Sequence, residues 1–252
     1  MTRIAFTASD ADIAQDARRA LVARYGDAPR EAAEVIVALG GDGFMLQTLH
    51  DTQELPAPVY GMNCGTIGFL MNEYREEGLE ARLADAEEET INPLSMRAVT
   101  VDGAVVDALA INEVSLLRAG PQAAKLRITV DDKVRLEELV CDGALVCTPA
   151  GSTAYNYSAH GPILPIGSEV LGLTAMAAFR PRRWRGAILP KSAVVRFDVM
   201  QPKKRPVMAD ADARGVTPVV TVTVRIASEI THRILFDPGH GLEERLIREQ
   251  FS

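Results

Sequence analysis

The sequence has few cysteines, histidines and aromatic residues, and it has no long apolar run. Its 252 residues include three cysteines, four histidines and 5% Phe, Trp and Tyr. Three irregularly spaced cysteines are too few for a disulfide framework or a structural zinc site, so we expect Cys64, Cys141 and Cys147 to be reduced. With no apolar run of about 18 residues and no signal-peptide core at the N-terminus, we expect a cytoplasmic protein that does not enter a membrane.

The charge balance argues against a polymeric partner. The chain carries 34 acidic and 27 basic residues, for a net charge of -7. This disfavours a broad surface for nucleic acid or anionic lipid, although a local basic patch remains compatible with a phosphorylated small molecule. A hydrophobic content of 47% is ordinary for a globular protein and supplies a sizeable core. We therefore expect small-molecule partners, no nucleic acid and no membrane.

The first third of the chain alternates strand-like and helix-like segments. The pattern predicts strands at residues 3–8, 35–39 and 58–62, and helices at 10–24, 44–49 and 75–89. Such alternation is typical of a parallel sheet with ligands at the carboxyl ends of its strands. The glutamate-rich segment 75–89 has the charge pattern of a solvent-facing helix.

The turn Gly40-Gly41-Asp42-Gly43 follows the most apolar of these strands. Three glycines remove side chains and permit positive φ, so backbone N–H groups can converge on a phosphate near a helix N-terminus. A carboxylate in such a turn repels phosphate, so Asp42 makes chemical sense as a proton acceptor for an attacking hydroxyl or as a ligand to a phosphate-bound metal. The alternative is that Asp42 caps the helix and the glycines only form the turn.

A second glycine-bearing loop leaves the third predicted strand at residues 63–70. In an open α/β sheet this loop faces the same crevice as Asp42. The alternative is a plain connection with Phe69 and Leu70 packed inward.

The period of the sequence changes after residue 93. Short β-rich runs separated by turn signals predict strands at residues 97–101, 105–109, 113–117, 126–130, 134–140, 144–147, 194–199 and 218–226. In the last run, Val220, Val222, Val224 and Ile226 alternate with polar residues, which predicts one buried face. Strands at this density indicate an antiparallel sheet or sandwich.

The predicted fold is therefore α/β plus all-β. A Rossmann-like parallel α/β domain spans residues 1–93, and a β-sandwich-like domain spans residues 94–228. Residues 229–252, with a strand near 234 and an amphipathic helix at 242–251, are expected to return to the first domain.

Two polar segments interrupt the apolar strands of the second domain. Asn112-Glu113 projects an amide and a carboxylate together, although an ordinary solvent-facing pair is the alternative. At residues 148–156 a strand ends at Pro149, the chain turns, and Ser152 or Thr153 caps a short helix. Small residues, hydroxyls and an aromatic ring meet at that turn, which favours a binding site over a capped helix with a buried Tyr155.

Taken in order and spacing, Gly40-Gly41-Asp42-Gly43, Asn112-Glu113, Asp142-Gly143 and residues 148–156 resemble the motifs of the bacterial NAD kinases. The resemblance implies NAD bound between two domains, usually in a homodimer or homotetramer. It also implies that ATP with Mg2+ or another divalent cation phosphorylates the 2'-hydroxyl of the adenosine ribose, with Asp42 as proton acceptor. The residues it places at the NAD site are Gly41, Gly43, Asn112, Glu113, Asp142, Ser152, Thr153, Ala154, Tyr155, Asn156, Tyr157, Ser158, Ala177 and Asp212. Asp212 is preferred over Asp210 for its spacing to Arg205 and Val216.

Two features depart from that family pattern. Phe44 stands where many relatives have threonine, and residues 180–185 are unusually rich in arginine. The arginines suit a nucleotide phosphate, a contact between subunits, or plain solvation. Polyphosphate is an alternative donor to ATP. A diacylglycerol or sphingoid lipid kinase and a non-catalytic nucleotide sensor are the alternative functions, and the polar residues Asn112, Glu113 and Asp142 disfavour the apolar groove of a lipid kinase.

Overall fold

The computed structural model describes residues 2–65, 68–239, 241, 242, 244, 245 and 247. Two compact units emerge, one formed by Met1–Ile91 with Ile230–Ser252 and the other by Asn92–Glu229. The first is α/β with a mainly parallel sheet and the second is built from antiparallel sheets, which confirms the predicted fold class. In the described part of the chain, no helix has the length and apolar character needed to cross a membrane.

The first unit is a sheet with helices on its faces. Its strands are β1 (Ile4–Ala8), β2 (Val35–Gly40), β3 (Val59–Asn63), β4 (Asn72–Glu73), β5 (Glu87–Ile91) and, from the end of the chain, β18 (His232–Phe236). Its helices are α1 (Asp12–Tyr25), α2 (Asp42–Asp51) and α3 (Leu79–Asp85), with a 3-10 turn at Arg30–Ala32. The strand order is β1-β2-β3-β18-β5, with β4 paired to β3. Neighbouring strands are parallel except that β5 runs antiparallel to β18.

Strands β2 and β3 form the centre of this unit. Every residue of both strands is buried, as expected for parallel strands covered on both faces. Val37 and Leu39 pack in one cluster with α1, whereas Met45 of α2 lies against Gly61 on the opposite face. A Cβ at Gly61 would come within 2.6 Å of the Met71 sulfur, so the glycine permits this close packing.

Strand β18 joins the sheet between β3 and β5, and buried polar groups hold it in place. The Asn72 amide donates to the carbonyls of Gly61 (3.1 Å) and Leu235 (3.0 Å), and its oxygen accepts from the Asp237 N–H (3.0 Å). Asp237 also accepts from Arg82 (2.6 Å) and from the Tyr60 hydroxyl (2.6 Å). The burial of Tyr60 and its bond to Asp237 raise the pKa of the phenol. The return of the chain to this unit is thus fixed by specific hydrogen bonds as well as by the strand ladder.

The prediction of one helix over residues 75–89 is wrong. Helix α3 covers only Leu79–Asp85, and residues Glu87–Ile91 form the edge strand β5. Strand pairing with β18 outweighs the helical preference of the glutamates, and Glu88 forms an ion pair with Arg233 across that pairing (2.6 Å). The closing helix predicted at 242–251 falls largely on residues 243, 246 and 248–252, which lie outside the described residues.

The second unit consists of two antiparallel sheets. Its strands are β6 (Leu94–Thr100), β7 (Val105–Ala110), β8 (Glu113–Arg118), β9 (Ala124–Val130), β10 (Lys133–Cys141), β11 (Gly143–Cys147), β12 (Val170–Met176), β13 (Gly186–Pro190), β14 (Val195–Val199), β15 (Val207–Ala211), β16 (Arg214–Val216) and β17 (Val219–Ile226). A 3-10 turn at Ala150–Thr153 precedes the short helix α4 (Tyr155–Ser158). The orders are β10-β9-β14-β17-β6-β7 and β13-β12-β11-β8-β15-β16.

One core fills the space between these two sheets. Met96 and Phe197 of the first sheet belong to the same buried cluster as Val146 and Leu173 of the second. The alternation predicted for β17 holds at Val222 and Val224. It fails at Val220, because a register shift between Val219 and Thr221 turns Val219 into the core instead.

Replacing Asn72 tests how strongly the polar anchor holds β18. We expect Asn72→Ala to lower the free energy of unfolding by about 2–4 kcal/mol, because it removes three hydrogen bonds that the buried Asn72 side chain makes to the backbone of Gly61, Leu235 and Asp237. Denaturant unfolding measures the change, with the exposed Gln53→Ala as the control, expected within about 0.5 kcal/mol of the parent. Equal stability of the two variants would contradict the anchoring role.

Candidate active site

The N-terminus of α2 presents bare backbone. Asp42 is its first residue and Gly41 is the residue before it, with extended φ of -122°. The N–H groups of a first helical turn have no acceptor within the helix, and no side chain caps this one. A Cβ at Gly41 or Gly43 would meet open space, so the glycines leave these N–H groups accessible. The turn is thus suited to an anion, and the helix dipole adds to that preference.

These glycines do not use the positive φ that glycine permits. Gly40, Gly41 and Gly43 all have negative or extended backbone angles. Gly40 is needed because the ring of Phe44 occupies the space of its missing side chain, with Cβ of Phe44 2.9 Å from a Cβ placed there. The glycines act through small size and not through left-handed conformation.

Both carboxylate oxygens of Asp42 are held by the loop after β3. Oδ2 accepts from the Phe69 N–H at 2.6 Å, and Oδ1 accepts from the Leu70 N–H at 2.9 Å. A Cβ at Gly68 would overlap this carboxylate, so Gly68 makes the close approach possible. The second glycine loop therefore lies beside Asp42, as predicted, although its residues Thr66 and Ile67 lie outside the described residues. The Asp42 carboxylate therefore accepts hydrogen bonds from this loop and does not cap α2.

Arg245 fixes the loop from its other side. Its Nη1 donates to the carbonyls of Gly68 (3.1 Å), Phe69 (3.4 Å) and Met71 (2.5 Å), and its guanidinium lies over the ring of Phe236 (5.1 Å to the centroid). Arg245 thus binds the carbonyls of the loop whose N–H groups bind Asp42. Sequence reasoning missed this residue, because an arginine in the final segment carries no local signal of a contact with residues 68–71.

In the second unit, Asp212 organises the Asn112-Glu113 segment. Its carboxylate accepts from the backbone N–H of Ile111 (2.5 Å) and of Asn112 (3.2 Å). Asp212 occupies the left-handed region, at φ of 45°, in the tight turn between β15 and β16. Asp210 accepts from the Ala213 N–H in the same turn (2.8 Å). Asp212 therefore faces the predicted binding segment, where it holds the backbone.

The segment after β11 is tied to the same place. The Thr148 hydroxyl donates to the Ile111 carbonyl (2.7 Å) and accepts from the Gly151 N–H (3.0 Å). A Cβ at Gly151 would overlap the backbone of Asn112. The structure thus brings the Asn112-Glu113 and 148–158 motifs together, although they are distant in sequence.

The prediction that Ser152 or Thr153 caps a short helix is wrong. Helix α4 begins at Tyr155 behind Ala154, without a side-chain cap. The buried Ser152 hydroxyl instead donates to the Pro149 carbonyl (2.7 Å) and accepts from the Leu164 N–H (3.0 Å). It therefore joins the two ends of the loop that carries α4.

Asn156 is likewise an internal anchor. It is fully buried, its amide donates to the carbonyls of Ser152 (3.0 Å) and Pro162 (2.9 Å), and its oxygen accepts from the Thr174 hydroxyl (2.6 Å). Its neighbours Tyr155 and Tyr157 are exposed, so the alternative of a buried tyrosine at 155 is wrong. Alongside those two, the predicted residues with accessible surface in this segment are Thr153, Ala154 and Ser158.

Glu113 is a partly buried carboxyl group near other carboxylates. Burial raises its pKa to about 7, and the nearby charges of Asp212 and Asp210 add to the increase, while the Tyr155 N–H opposes it by donating a hydrogen bond. Within the described residues, the buried oxygen Oε2 has no hydrogen-bond partner. An unsatisfied buried oxygen of this kind is available to a ligand hydroxyl or amide.

Asp142 and Ala177 lie at the other end of the same sheet. The pairing of β8 with β11 sets Glu113 opposite Cys147 and Leu117 opposite Gly143. Asp142 precedes Gly143 and is thus five residues along the sheet from Glu113, which at about 3.3 Å per residue is roughly 17 Å. Asp142 pairs with Arg118 (2.6 Å) and its N–H donates to the carbonyl of Met176, next to Ala177. One copy of the chain does not bring these two residues to Glu113.

The arginine-rich segment 180–185 is a surface loop anchored by Trp184, which packs against the sandwich core. Arg180, Arg182, Arg183 and Arg185 are exposed, and Arg180 lies over the ring of Phe179 (5.5 Å).

A carboxylate held at a glycine-flanked helix N-terminus, on a parallel sheet in a chain that continues into a β-sandwich, is typical of a nucleotide-dependent phosphotransferase. Comparison with known proteins specifies the family. Residues 5–89 match the family model for the ATP-NAD kinase N-terminal domain, and residues 111–232 match that for the ATP-NAD kinase C-terminal domain. The chain belongs to the NAD kinase family.

Individual relatives agree over nearly the full length. An NAD kinase of Cereibacter sphaeroides is 71% identical over 249 residues, covering 99% of this chain and 98% of the relative. An NAD kinase of Caulobacter vibrioides is 57% identical over 252 residues, covering 100% and 97%. The comparisons support neither a lipid kinase nor a non-catalytic sensor.

Solved structures share the fold. Yeast NADH kinase complexed with NADH has a TM-score of 0.84 at 19% identity, covering 100% of this chain and 87% of that chain. An NAD kinase from Archaeoglobus fulgidus in complex with ATP has a TM-score of 0.77 at 24% identity, covering 98% of each.

The raised pKa of Glu113 predicts a pH-dependent gain in stability for Glu113→Gln. The carboxyl ionises near 4.5 in the unfolded chain but near 7 in the folded one, so its stabilising contribution is complete below about pH 4.5 and is lost as pH rises through 7. The variant should therefore exceed the parent in stability by up to roughly 3 kcal/mol at pH 8 and gain much less at pH 5.

Unfolding at both pH values measures this difference, with the exposed Glu229→Gln as control. A difference between parent and Glu113→Gln that is the same at pH 5 and pH 8 would refute the role of burial.

Arg245→Met tests the support behind Asp42. We expect the loop to open more often without the guanidinium, so the amides of Phe69 and Leu70 should exchange with solvent about tenfold faster or more. Hydrogen exchange by NMR reads these two amides, and Arg19→Met on the exposed face of α1 is the control. Unchanged exchange at both amides would show that the loop holds Asp42 without Arg245.

Proposed function

We propose that this protein transfers the γ-phosphoryl group of ATP to the 2'-hydroxyl of the adenosine ribose of NAD, giving NADP. The main structural support for this reaction is the position of Asp42, whose two carboxylate oxygens are fixed by hydrogen bonds at the N-terminus of a glycine-flanked helix. Family membership supports the same reaction, as do relatives named NAD kinase at 55–73% identity.

In this proposal Asp42 accepts the proton of the attacking ribose hydroxyl. Its two backbone hydrogen bonds fix the direction of the carboxylate, so little reorganisation is needed when the hydroxyl arrives. The bare N–H groups of α2 then bind phosphate oxygens and stabilise the charge that develops on the transferred group. Phosphoryl transfer asks little else of a protein than positioning and charge stabilisation.

Asn112 and Glu113 orient the acceptor nucleotide. Asp212 and Thr148 fix the backbone of this segment, which leaves the Asn112 amide and the unsatisfied Glu113 oxygen as groups for NAD. Exposed groups of residues 153–158 complete the proposed NAD site, while Ser152 and Asn156 support it from within. We assign both of these a positioning role.

We propose that the divalent cation enters the site with ATP. In the described part of the chain, no three His, Cys, Asp or Glu side chains are grouped to hold a metal ion. A divalent cation such as Mg2+ would neutralise part of the charge of the ATP phosphates. ATP is the proposed donor, and polyphosphate is the alternative that a donor assay separates.

A homo-oligomer fits the position of Asp142 and Ala177. Both residues lie at least roughly 17 Å from Glu113 along the same sheet, by the strand rise of about 3.3 Å per residue. If all three contact one NAD molecule near the Glu113 end, a second copy of the chain supplies the first two. We propose a homodimer or homotetramer, located in the cytoplasm with its nucleotide substrates.

Asp42→Asn tests the catalytic assignment. We expect kcat to fall by about 10² or more, because the amide cannot accept the hydroxyl proton. Formation of NADP from NAD and Mg-ATP is followed by a coupled dehydrogenase that accepts only the phosphorylated cofactor.

Asp85→Asn, on the exposed end of α3, is the matched control and should keep parental kcat. Circular dichroism must first show that both variants are folded. Parental turnover by a folded Asp42→Asn protein would remove Asp42 from the role, and no NADP from the parent with either ATP or polyphosphate would overturn the proposed function.

A further inference from the structure

Three carboxyl groups meet where strands β8 and β15 of the sandwich lie side by side. The pairing sets Val114 opposite Ala211, so Glu113 at the start of β8 lies beside the turn that carries Asp212. Asp210, on β15, also acts on Glu113 through its charge, as Asp212 does. We refer to Glu113, Asp210 and Asp212 as the carboxylate cluster.

Backbone N–H groups hold the carboxylate cluster, and such groups carry only partial charges. In the part of the chain that the structure describes, neither Glu113 nor Asp210 forms an ion pair with a lysine or an arginine. Arg118, at the far end of β8, pairs instead with Asp142 (2.6 Å), and Arg214 is exposed. The cluster therefore gives this surface a negative potential, which favours a cationic group of a ligand.

The side chain of Tyr155 is an exposed aromatic surface next to the cluster. Its backbone N–H donates a hydrogen bond to the Glu113 carboxylate, and 37% of the residue is exposed. The face of an aromatic ring attracts cations, and a carboxylate beside the ring adds a full charge to that attraction. The two groups together suit a flat organic cation better than a neutral or anionic group.

NAD has one positively charged part. Its diphosphate is anionic, its adenine and riboses are neutral, and its nicotinamide ring is cationic in NAD+ but neutral in NADH. The carboxylate cluster repels the diphosphate, so Coulomb attraction favours the oxidised nicotinamide ring at this place. A cation held there also favours the ionised form of Glu113 and offsets the repulsion from Asp210 and Asp212.

We propose that the carboxylate cluster and Tyr155 hold the nicotinamide ring, and that the charge of the cluster makes the site selective for NAD+ over NADH. This inference rests on the proposed function and adds the redox state of the acceptor. Since Glu113 acts on the ring through its charge, the amide of equal size in Glu113→Gln removes selectivity while it retains the shape of the site.

The ratio of the dissociation constants of NADH and NAD+ measures this selectivity. We expect calorimetry at pH 8, above the Glu113 pKa of about 7, to give a ratio of about ten or more for the parent. Glu113→Gln should lower the ratio about tenfold, and Asp210→Asn and Tyr155→Leu about threefold each, because each removes one attraction to the charged ring. A non-hydrolysable ATP analogue with Mg2+ is present throughout, so that the order of substrate binding does not affect the result.

The exposed Glu229→Gln is the matched control for lost charge and should keep the parental ratio. A role of Glu113 in shape alone would change both dissociation constants together and leave their ratio constant. A parent ratio near one, or an unchanged ratio in folded Glu113→Gln, would overturn the inference and leave NAD phosphorylation intact. If the parent bound neither dinucleotide, the acceptor site and this inference would both fall, and the NADP assay of the parent would decide the proposed function separately.

Discussion

The fixed carboxylate of Asp42 is the constraint on which the first unit depends. A carboxylate at a helix N-terminus that we propose to bind phosphate would repel that ligand, so the rest of the protein must impose its position. Two backbone N–H groups hold it, Gly68 makes room for it, and Arg245 holds the loop that donates to it. These parts come from three separate segments of the chain, so the geometry of the site requires the complete sheet.

The second unit also holds a carboxyl group in an unfavourable environment. Glu113, Asp210 and Asp212 bring carboxyl groups together, and burial with the nearby charges of Asp212 and Asp210 raises the pKa of Glu113. Asp212 is compensated by two backbone N–H groups, and Glu113 only in part. Functional sites commonly retain such locally unfavourable groups, and the well-packed core between the two sheets supplies the stability that allows it.

The sequence pattern predicted those elements that short-range interactions determine. The buried run of β2, the alternation within β17 and the turn at Asp42 are visible in sequence because periodicity and glycine act at short range. Other elements depend on tertiary pairing. Residues 87–91 form a strand because they pair with β18. Ser152 and Asn156 are recognisable as motif members, but only the fold shows that they hold a loop together. The contact of Arg245 with residues 68–71 has no sequence signal.

The position of β18 also affects how the protein is made. During synthesis β1 to β3 emerge early, whereas their neighbour in the sheet follows only after all of residues 92–229. Until then one edge of the fully buried strand β3 has no ladder partner there, and an unpaired apolar edge is prone to join other chains. All strands of the sandwich lie within residues 92–229. They are therefore synthesised before β18, the last strand of the first unit's sheet. Folding yield at high expression should thus depend on how quickly the last segment is delivered.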